Sequence, residues 1–342
     1  MKTFIWRLLR FLIIGMVPIV PFVILYVYTD PFKVLRHYDS FFESNAKGII
    51  TLNQDYVSTK TFLNYVDEQS YNSFVFGNSR SIFYPMDAWK RHLGSEASCY
   101  HFDAAGESLW GIHKKILFLY NRNTVLKNAL IVLDYETLIQ STPKDGHLFI
   151  VAPPLINNRN LLKFHFCFMK AFLDPDFLYA YIDFIRTGEI KPYMTKNFLL
   201  DDRPRSYDPK INEVRFDYYE KCIQEGCYYT ENRMRCFYDR KHSSAPSNPI
   251  CIKEAQKEML VEINEVFRRA GTNVKLIISP LYDQVRLNAQ DVDYLQDLFG
   301  KANVFDFSGI NEFTQHYENY YENSHYRPHV AMKLMDVVYA RK

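Results

Sequence analysis

The sequence predicts an α/β fold in which a three-layer, doubly wound parallel sheet of five strands is interrupted by one long, largely helical insertion. Three observations lead there. Short apolar runs end at a glycine or a turn residue, as buried strands do. Between them lie stretches whose apolar residues recur at three- and four-residue steps, the period of a helix with one buried face. The two kinds alternate, and strands that alternate with helices form a parallel sheet covered on both faces.

In chain order, Asn72 to Phe76 (NSFVF) reads as the first strand, closed by Gly77. Met86 to Leu93 reads as a helix that stops at Gly94. Ser98 to Phe102 (SCYHF) reads as the second strand, followed by Asp103-Ala104-Ala105-Gly106. Leu109 to Tyr120 places Ile112, Ile116, Leu119 and Tyr120 on one side of a helix, and Leu130 to Leu133 forms a strongly apolar third strand. Regularity then stops. Residues from about 140 to 248 hold short helical stretches, many aromatics, Pro153-Pro154 and polar loops. Order returns at Pro249. Ile252 to Ala270 is an amphipathic helix followed by Gly271, a C-terminal cap. Val274 to Ile278 (VKLII) is the fourth strand, Val304 to Phe307 (VFDF) the fifth, and Val330 to Tyr339 the closing helix. The order is βαβαβ, an insertion, then αβαβα. An insertion of that length is usually functional.

Ahead of this domain, Phe11 to Tyr28 is uncharged and apolar for 18 residues, near the length that spans a bilayer. Lys2, Arg7 and Arg10 precede it, which favours a cytoplasmic N-terminus. Pro18 and Pro21 break a soluble helix but are tolerated in a membrane helix. The run is long for a cleaved signal peptide, and no small-x-small site follows it. We therefore expect residues 1–30 to form a cytoplasmic stub and an N-terminal transmembrane helix in the lipid bilayer. Residues 31–342 then form one domain on the outer side. The 342-residue chain is 48% hydrophobic, ample for a large core, and its formal net charge of +2 with no dominant basic stripe argues against nucleic acid as a partner. The many Tyr and Phe serve core packing or stacking on sugar rings. None of the six cysteines has zinc spacing. Outside the cytoplasm, Cys222, Cys227, Cys236 and Cys251 are the better candidates for disulfides, with buried free thiols the alternative.

Ligands collect at the carboxyl ends of the strands in open α/β sheets. Gly77-Asn78-Ser79-Arg80 puts Ser79 there. A serine becomes a useful nucleophile when a neighbouring base takes its proton. His325, between the fifth strand and the last helix, can reach the same edge. Glu322, three residues earlier, can orient one ring nitrogen and stabilise the imidazolium. His316 and His329 are rivals by proximity, while His101 and His113 read as structural. The Ser79 backbone N–H is one candidate for the oxyanion hole, and that of Gly106, which has no Cβ to block approach, is the second. Asn78 and Arg80, on either side of the serine, are candidates for contact with substrate. The sequence has no phosphate-binding glycine loop and no carboxylate pair spaced for a metal, so no cofactor is expected.

These residues resemble the motif blocks of the SGNH/GDSL hydrolase superfamily over roughly residues 70–135 and 250–340. GNSR stands where that family carries its nucleophile, Gly106 in DAAGES matches the second-block glycine, and Glu322-Asn323-Ser324-His325 followed by Tyr326-Arg327-Pro328 matches the last block, often written DxxH. Within the superfamily the chain is most similar to membrane-anchored, SGNH-like proteins of bacterial envelopes, which resemble the alginate O-acetylation proteins and the D-alanyl transfer protein of teichoic acids. Asp30-Pro31-Phe32 after the anchor fits the same group. Two departures stand out. Glu322 replaces the usual Asp, and strand three ends in Leu133-Asp134-Tyr135-Glu136 where the family supplies an oxyanion-binding Asn. An ionised Asp134 would repel an oxyanion. The hole then relies on Ser79 and Gly106 alone, or draws on Arg80 or an insertion residue, or activity is low.

The resemblance implies an SGNH/flavodoxin-like fold and a serine acyl hydrolase, esterase or O-acyltransferase, on the periplasmic or extracellular side of the bacterial cytoplasmic membrane. It would move or remove an acyl group, acetyl first among them, on a cell-envelope polysaccharide. The route is a Ser79 ester, with His325 as base and then acid and a multi-pass membrane O-acyltransferase as a partner. The alternative is a catalytically degenerate relative that binds glycan or scaffolds an envelope export or modification complex.

Overall fold

The computed structural model describes residues 4–7, 10–11, 17–43, 49–157, 161–240 and 246–340. Its centre is one parallel sheet of five strands: β1 (Ser73–Gly77), β2 (Cys99–His101), β3 (Asn128–Leu133), β4 (Asn273–Ile278) and β5 (Val304–Asp306), in the spatial order β2-β1-β3-β4-β5. Every residue of β1 and β3 is buried, which is why both read as unbroken apolar runs rather than alternating ones. The chain leaves β1 for β2 on one side and returns to β3 on the other. The carboxyl end of β1 is therefore a switch point, where the connecting loops diverge and leave a crevice.

The helices of the domain are α1 (Gln54–Gln69), α2 (Met86–Leu93), α3 (Leu109–Asn121), α4 (Tyr135–Ile139), α5 (Glu254–Ala270), α6 (Ala289–Phe299) and α7 (Pro328–Val338). α5 packs against both α3 and α6, while α2 packs against α7. Right-handed crossovers between strands in this order send the helices to opposite faces in those two groups. Beyond β5, Tyr320–Glu322 (β6) and His325–Tyr326 (β7) pair as a small antiparallel hairpin just before α7.

The insertion between α4 and α5 mixes helix and strand more than its sequence suggests. It holds helices Leu161–Phe172, Pro175–Thr187, Asp217–Gln224 and Glu231–Met234, with short strands Leu200–Asp201, Ser206–Asp208 and Glu213–Arg215 among them. The last two strands pair with each other, and Leu200–Asp201 pairs with Ile49–Ile50 from the start of the domain. Asn212 ties the insertion to the sheet by donating from Nδ2 to the His101 carbonyl at 2.6 Å. Cys222 and Cys227 are disulfide-bonded, whereas Cys99, Cys167, Cys236 and Cys251 are free thiols.

The expected membrane-spanning helix is not found. Residues 12–16 of the apolar run lie outside the described residues, and among the described residues no helix is long and apolar enough to cross a membrane. Among the described residues of that run, Val20–Thr29 forms an α-helix of ten residues. It rises only about 15 Å, half the thickness of a hydrocarbon core. Its end is anchored to the domain: Tyr26 is buried, with its ring 5.2 Å from that of Phe172 in the insertion. Asp30 then stops the helix and accepts hydrogen bonds from the Val34, Leu35 and Arg36 amides.

The loop after β2 carries Gly106 and rests on a fully buried cation. Lys115 of α3 donates from Nζ to Asp55 of α1 at 2.9 Å, to the Asp103 carbonyl at 2.8 Å, and to Glu107. Burial disfavours the charged lysine, but the two carboxylates outweigh that and hold its pKa above the ordinary value. Removing one partner of such a cluster leaves the others charged and dry. We predict that Lys115→Met lowers folding stability by about 3–5 kcal/mol, measured by chemical denaturation. A change near zero would show that the cluster does not brace this loop.

Candidate active site

β1 delivers Ser79 to the switch point through a turn that only glycine can begin. A Cβ on Gly77 would lie 2.8 Å from Ser81 Cβ and 2.9 Å from the Val132 carbonyl oxygen. Asn78 shapes the same turn, its Oδ1 accepting from the Arg80 amide at 3.0 Å. The Ser79 hydroxyl then lies 2.8 Å from His325 Nε2, across 246 positions of sequence. The other ring nitrogen, Nδ1, is hydrogen-bonded to Glu322 Oε1, and the second Glu322 oxygen accepts from the Ser324 amide at 2.7 Å. With Nδ1–H donated to Glu322, the lone pair on Nε2 points at the serine. Burial raises the Glu322 carboxyl, but the hydrogen bond and charge of His325, the Ser324 amide and the Arg80 charge outweigh it, and the net shift is downward. The carboxylate thus stays ionised, as orienting an imidazolium requires.

The hairpin explains how Glu322 reaches His325. The two residues are register partners across β6 and β7, so their side chains share one side of the ribbon. Asn323 and Ser324 form the turn between them. His329 is occupied elsewhere, with its Nε2 2.9 Å from Asn319 Oδ1. His101 is fully buried against Ser81, and His113 pairs with Glu262 at 2.6 Å.

Asp134 is not an oxyanion donor. It caps α4, its Oδ1 accepting from the Thr137 amide at 2.8 Å and the Thr137 hydroxyl at 3.0 Å. Its Oδ2 accepts from Asn78 Nδ2 at 2.6 Å and from Arg80 Nη1 at 2.7 Å. Asn78 and Arg80, the candidates for contact with substrate, do not line the cavity beside Ser79 and His325, and these donors go to protein acceptors. Arg80 also reaches Glu136 at 3.2 Å, the Ser324 carbonyl at 3.1 Å and the Ser324 hydroxyl at 3.4 Å. It is a strut between the end of β3 and the hairpin that carries Glu322 and His325.

Ser79, His325, Glu322 and Gly106 all line one cavity of about 340 Å³, while two larger clefts contain none of them. Gly106 has φ +56°, a left-handed conformation that suits glycine. Its carbonyl accepts from Lys144 Nζ at 2.6 Å. Among the described residues, neither the Ser79 amide nor the Gly106 amide donates to a protein acceptor. Both are therefore free for a ligand oxygen. Among the described residues no cluster of His, Cys, Asp and Glu is arranged to hold a metal ion.

The rest of the wall comes from residues the sequence did not single out. Phe83 and Tyr321 line it from the domain, and Phe149, Asp201, Arg203, Arg205, Phe216, Tyr219, Tyr228 and Arg233 line it from the insertion. The available signal was Asp201-Asp202-Arg203-Pro204-Arg205, a dense charge run inside an aromatic-rich insertion. No family model matches the sequence, and no curated protein matches it either.

Asp201 organises the charged part of this wall, accepting from Arg203 at 2.8 and 2.6 Å and from Arg205. Burial raises its carboxyl, but the Arg203 hydrogen bonds and the charges of both arginines outweigh that and hold it well below the usual range. A carboxyl depressed in the folded state contributes stability above its unfolded value near pH 4, and that contribution is lost as pH falls through the folded value. We predict that melting temperature drops more steeply between about pH 5 and pH 2.5 in the unmodified chain than in Asp201→Asn. Parallel curves would show that the pair contributes nothing to acid sensitivity.

Proposed function

We propose that this chain is a serine acyl hydrolase or O-acyltransferase of the SGNH type, acting on a cell-envelope polysaccharide. One observation carries the reading: the Ser79 hydroxyl lies 2.8 Å from His325 Nε2 while Glu322 holds the opposite ring nitrogen. That is the connectivity a serine nucleophile needs, namely a base within hydrogen-bond reach and a carboxylate that fixes the base. In the first half-reaction Ser79 Oγ attacks the ester carbonyl carbon and its proton passes to His325 Nε2. The bond to the leaving oxygen breaks, and that oxygen takes the proton from His325. In the second half-reaction water or a sugar hydroxyl gives its proton to His325 and attacks the Ser79 ester; the bond to Ser79 Oγ breaks and Oγ takes the proton back from His325. The free amides of Ser79 and Gly106 bind the oxyanion, each donor typically worth about 3 kcal/mol.

The finer parts of the proposal rest on the sequence. The apolar run from Phe11 to Tyr28 behind Lys2, Arg7 and Arg10 is proposed to anchor the chain in the cytoplasmic membrane, with the acyl-transfer domain outside and a multi-pass O-acyltransferase as partner. The doubly wound order of the sheet and the insertion over its crevice suit an SGNH-like domain with a cap. A second reading, a glycan-binding relative without turnover, is favoured by Asp134, which stands where the resemblance places an oxyanion-binding Asn.

The two readings separate in the source cell. We predict that replacing Ser79 by Ala lowers the ester-linked acyl content of the envelope polysaccharide if the chain is a transferase and raises it if it is a hydrolase. The readout is mild alkaline release and quantitation of the acid. Unchanged content with normal protein abundance would remove the enzyme reading.

A further inference from the structure

We infer that the ester taken by this site carries a negative charge set back from its reactive carbonyl by a ring-sized body, and that Arg203 and Arg233 bind that charge. The inference rests on the reading of Ser79 as nucleophile. It starts from the wall that leads away from the triad. Phe83 lies edge-on to the His325 ring at 5.7 Å, and the Phe216 ring follows at 5.9 Å from Phe83. Tyr219 continues the wall, stacked on Phe216 at 5.7 Å with an interplanar angle of 10°. Two guanidinium groups sit over these last rings. The Arg203 guanidinium carbon is 5.7 Å from the Phe216 centroid, and that of Arg233 is 4.8 Å from the Tyr219 centroid and 4.2 Å from that of Tyr228. All of these residues line the cavity that holds Ser79 and His325. The wall therefore runs from reacting hydroxyl, over flat apolar faces, to a pair of cations on adjacent rings.

The charges on this wall do not balance. Three arginines and two carboxylates line it: Arg203 and Arg205 share the carboxylate of Asp201, and Glu322, hydrogen-bonded to His325, supplies the second negative charge, so one positive charge is left over. Arg233 donates from Nη1 to the Tyr228 hydroxyl at 2.9 Å and makes no ion pair among the described residues. The Arg203 side chain is 48% exposed; Asp201 takes its Nε and Nη2, and Nη1 has no protein acceptor among the described residues. A planar guanidinium recognises a carboxylate, phosphate or sulfate through paired N–H donors, and low-dielectric aromatic walls strengthen the attraction. A neutral substrate would leave this excess positive charge unanswered.

Two acetyl esters of one shape test this. 4-Acetoxybenzoate places a carboxylate one ring from the ester, and 4-acetoxybenzamide is its neutral counterpart. The full chain should cleave the acid with a kcat/KM about tenfold above the amide at low salt, and the preference should shrink as ionic strength rises. Arg203→Gln and Arg233→Gln should each bring the ratio down toward unity. A ratio of one in the unmodified chain, or a preference that survives both substitutions, would overturn the inference while leaving the nucleophile reading intact. If neither ester is turned over, the nucleophile reading fails by itself. Calorimetric binding of 4-hydroxybenzoate against 4-hydroxybenzamide to the unmodified chain then decides the subsite: preferential binding of the acid that both arginine variants lose supports it, and equal or absent binding overturns it.

Discussion

One buried carboxylate holds the candidate active site together. Asp134 is 2% exposed and lies at the junction of the two innermost strands. Such burial is tolerated only when the charge is paired and its lone pairs are used. Here four donors use them: the Asn78 amide, the Arg80 guanidinium, and the amide and hydroxyl of Thr137. Asn78 fixes the turn that presents Ser79. Arg80 extends the same network to Ser324, inside the hairpin that carries Glu322 and His325. Nucleophile and base come from opposite ends of the chain, yet they are registered against each other through a single side chain.

Seen this way, the departure at Asp134 has a structural logic. A donor at this position could serve an oxyanion, but it could not gather Asn78, Arg80 and the first turn of α4 at once. The chain uses the position for architecture, and in the proposed mechanism the oxyanion falls to backbone amides. The loop that offers the second amide has its own brace in Lys115, Asp55 and Glu107. Both sides of the crevice are thus set by buried ion pairs, which are costly to desolvate and for that reason geometrically demanding.

Much of the domain was legible in the sequence, because buried parallel strands leave a plain mark. SFVFG and NALIVL cannot be covered by anything but a sheet interior, and the amphipathic stretch ending at Gly271 has a single buried face. Ser79, His325 and Glu322 were legible because turn residues fix their places at strand ends. What was not legible depends on pairing at long range. The α1 helix has apolar and polar residues on every side, and its buried Ser58 and Asp55 make sense only beside Asp103 and Lys115. The partners that Asn78 and Arg80 find in Asp134 and Ser324 were not legible for the same reason. A donor's partner is invisible until the fold supplies it. The strands of the insertion gave no periodic signal because they are two or three residues long, and the insertion's contribution to the cavity is a matter of single side chains.

The central claim is that Ser79 is a nucleophile activated by His325. It is tested most directly by the rate at which a fluorophosphonate modifies the folded protein, read by intact mass and peptide mapping. The account predicts one adduct per chain, on Ser79, absent in Ser79→Ala and slowed at least about a hundredfold in His325→Ala, the range a positioned base contributes. A folded chain that takes up no label, or labels at the same rate without His325, would contradict it.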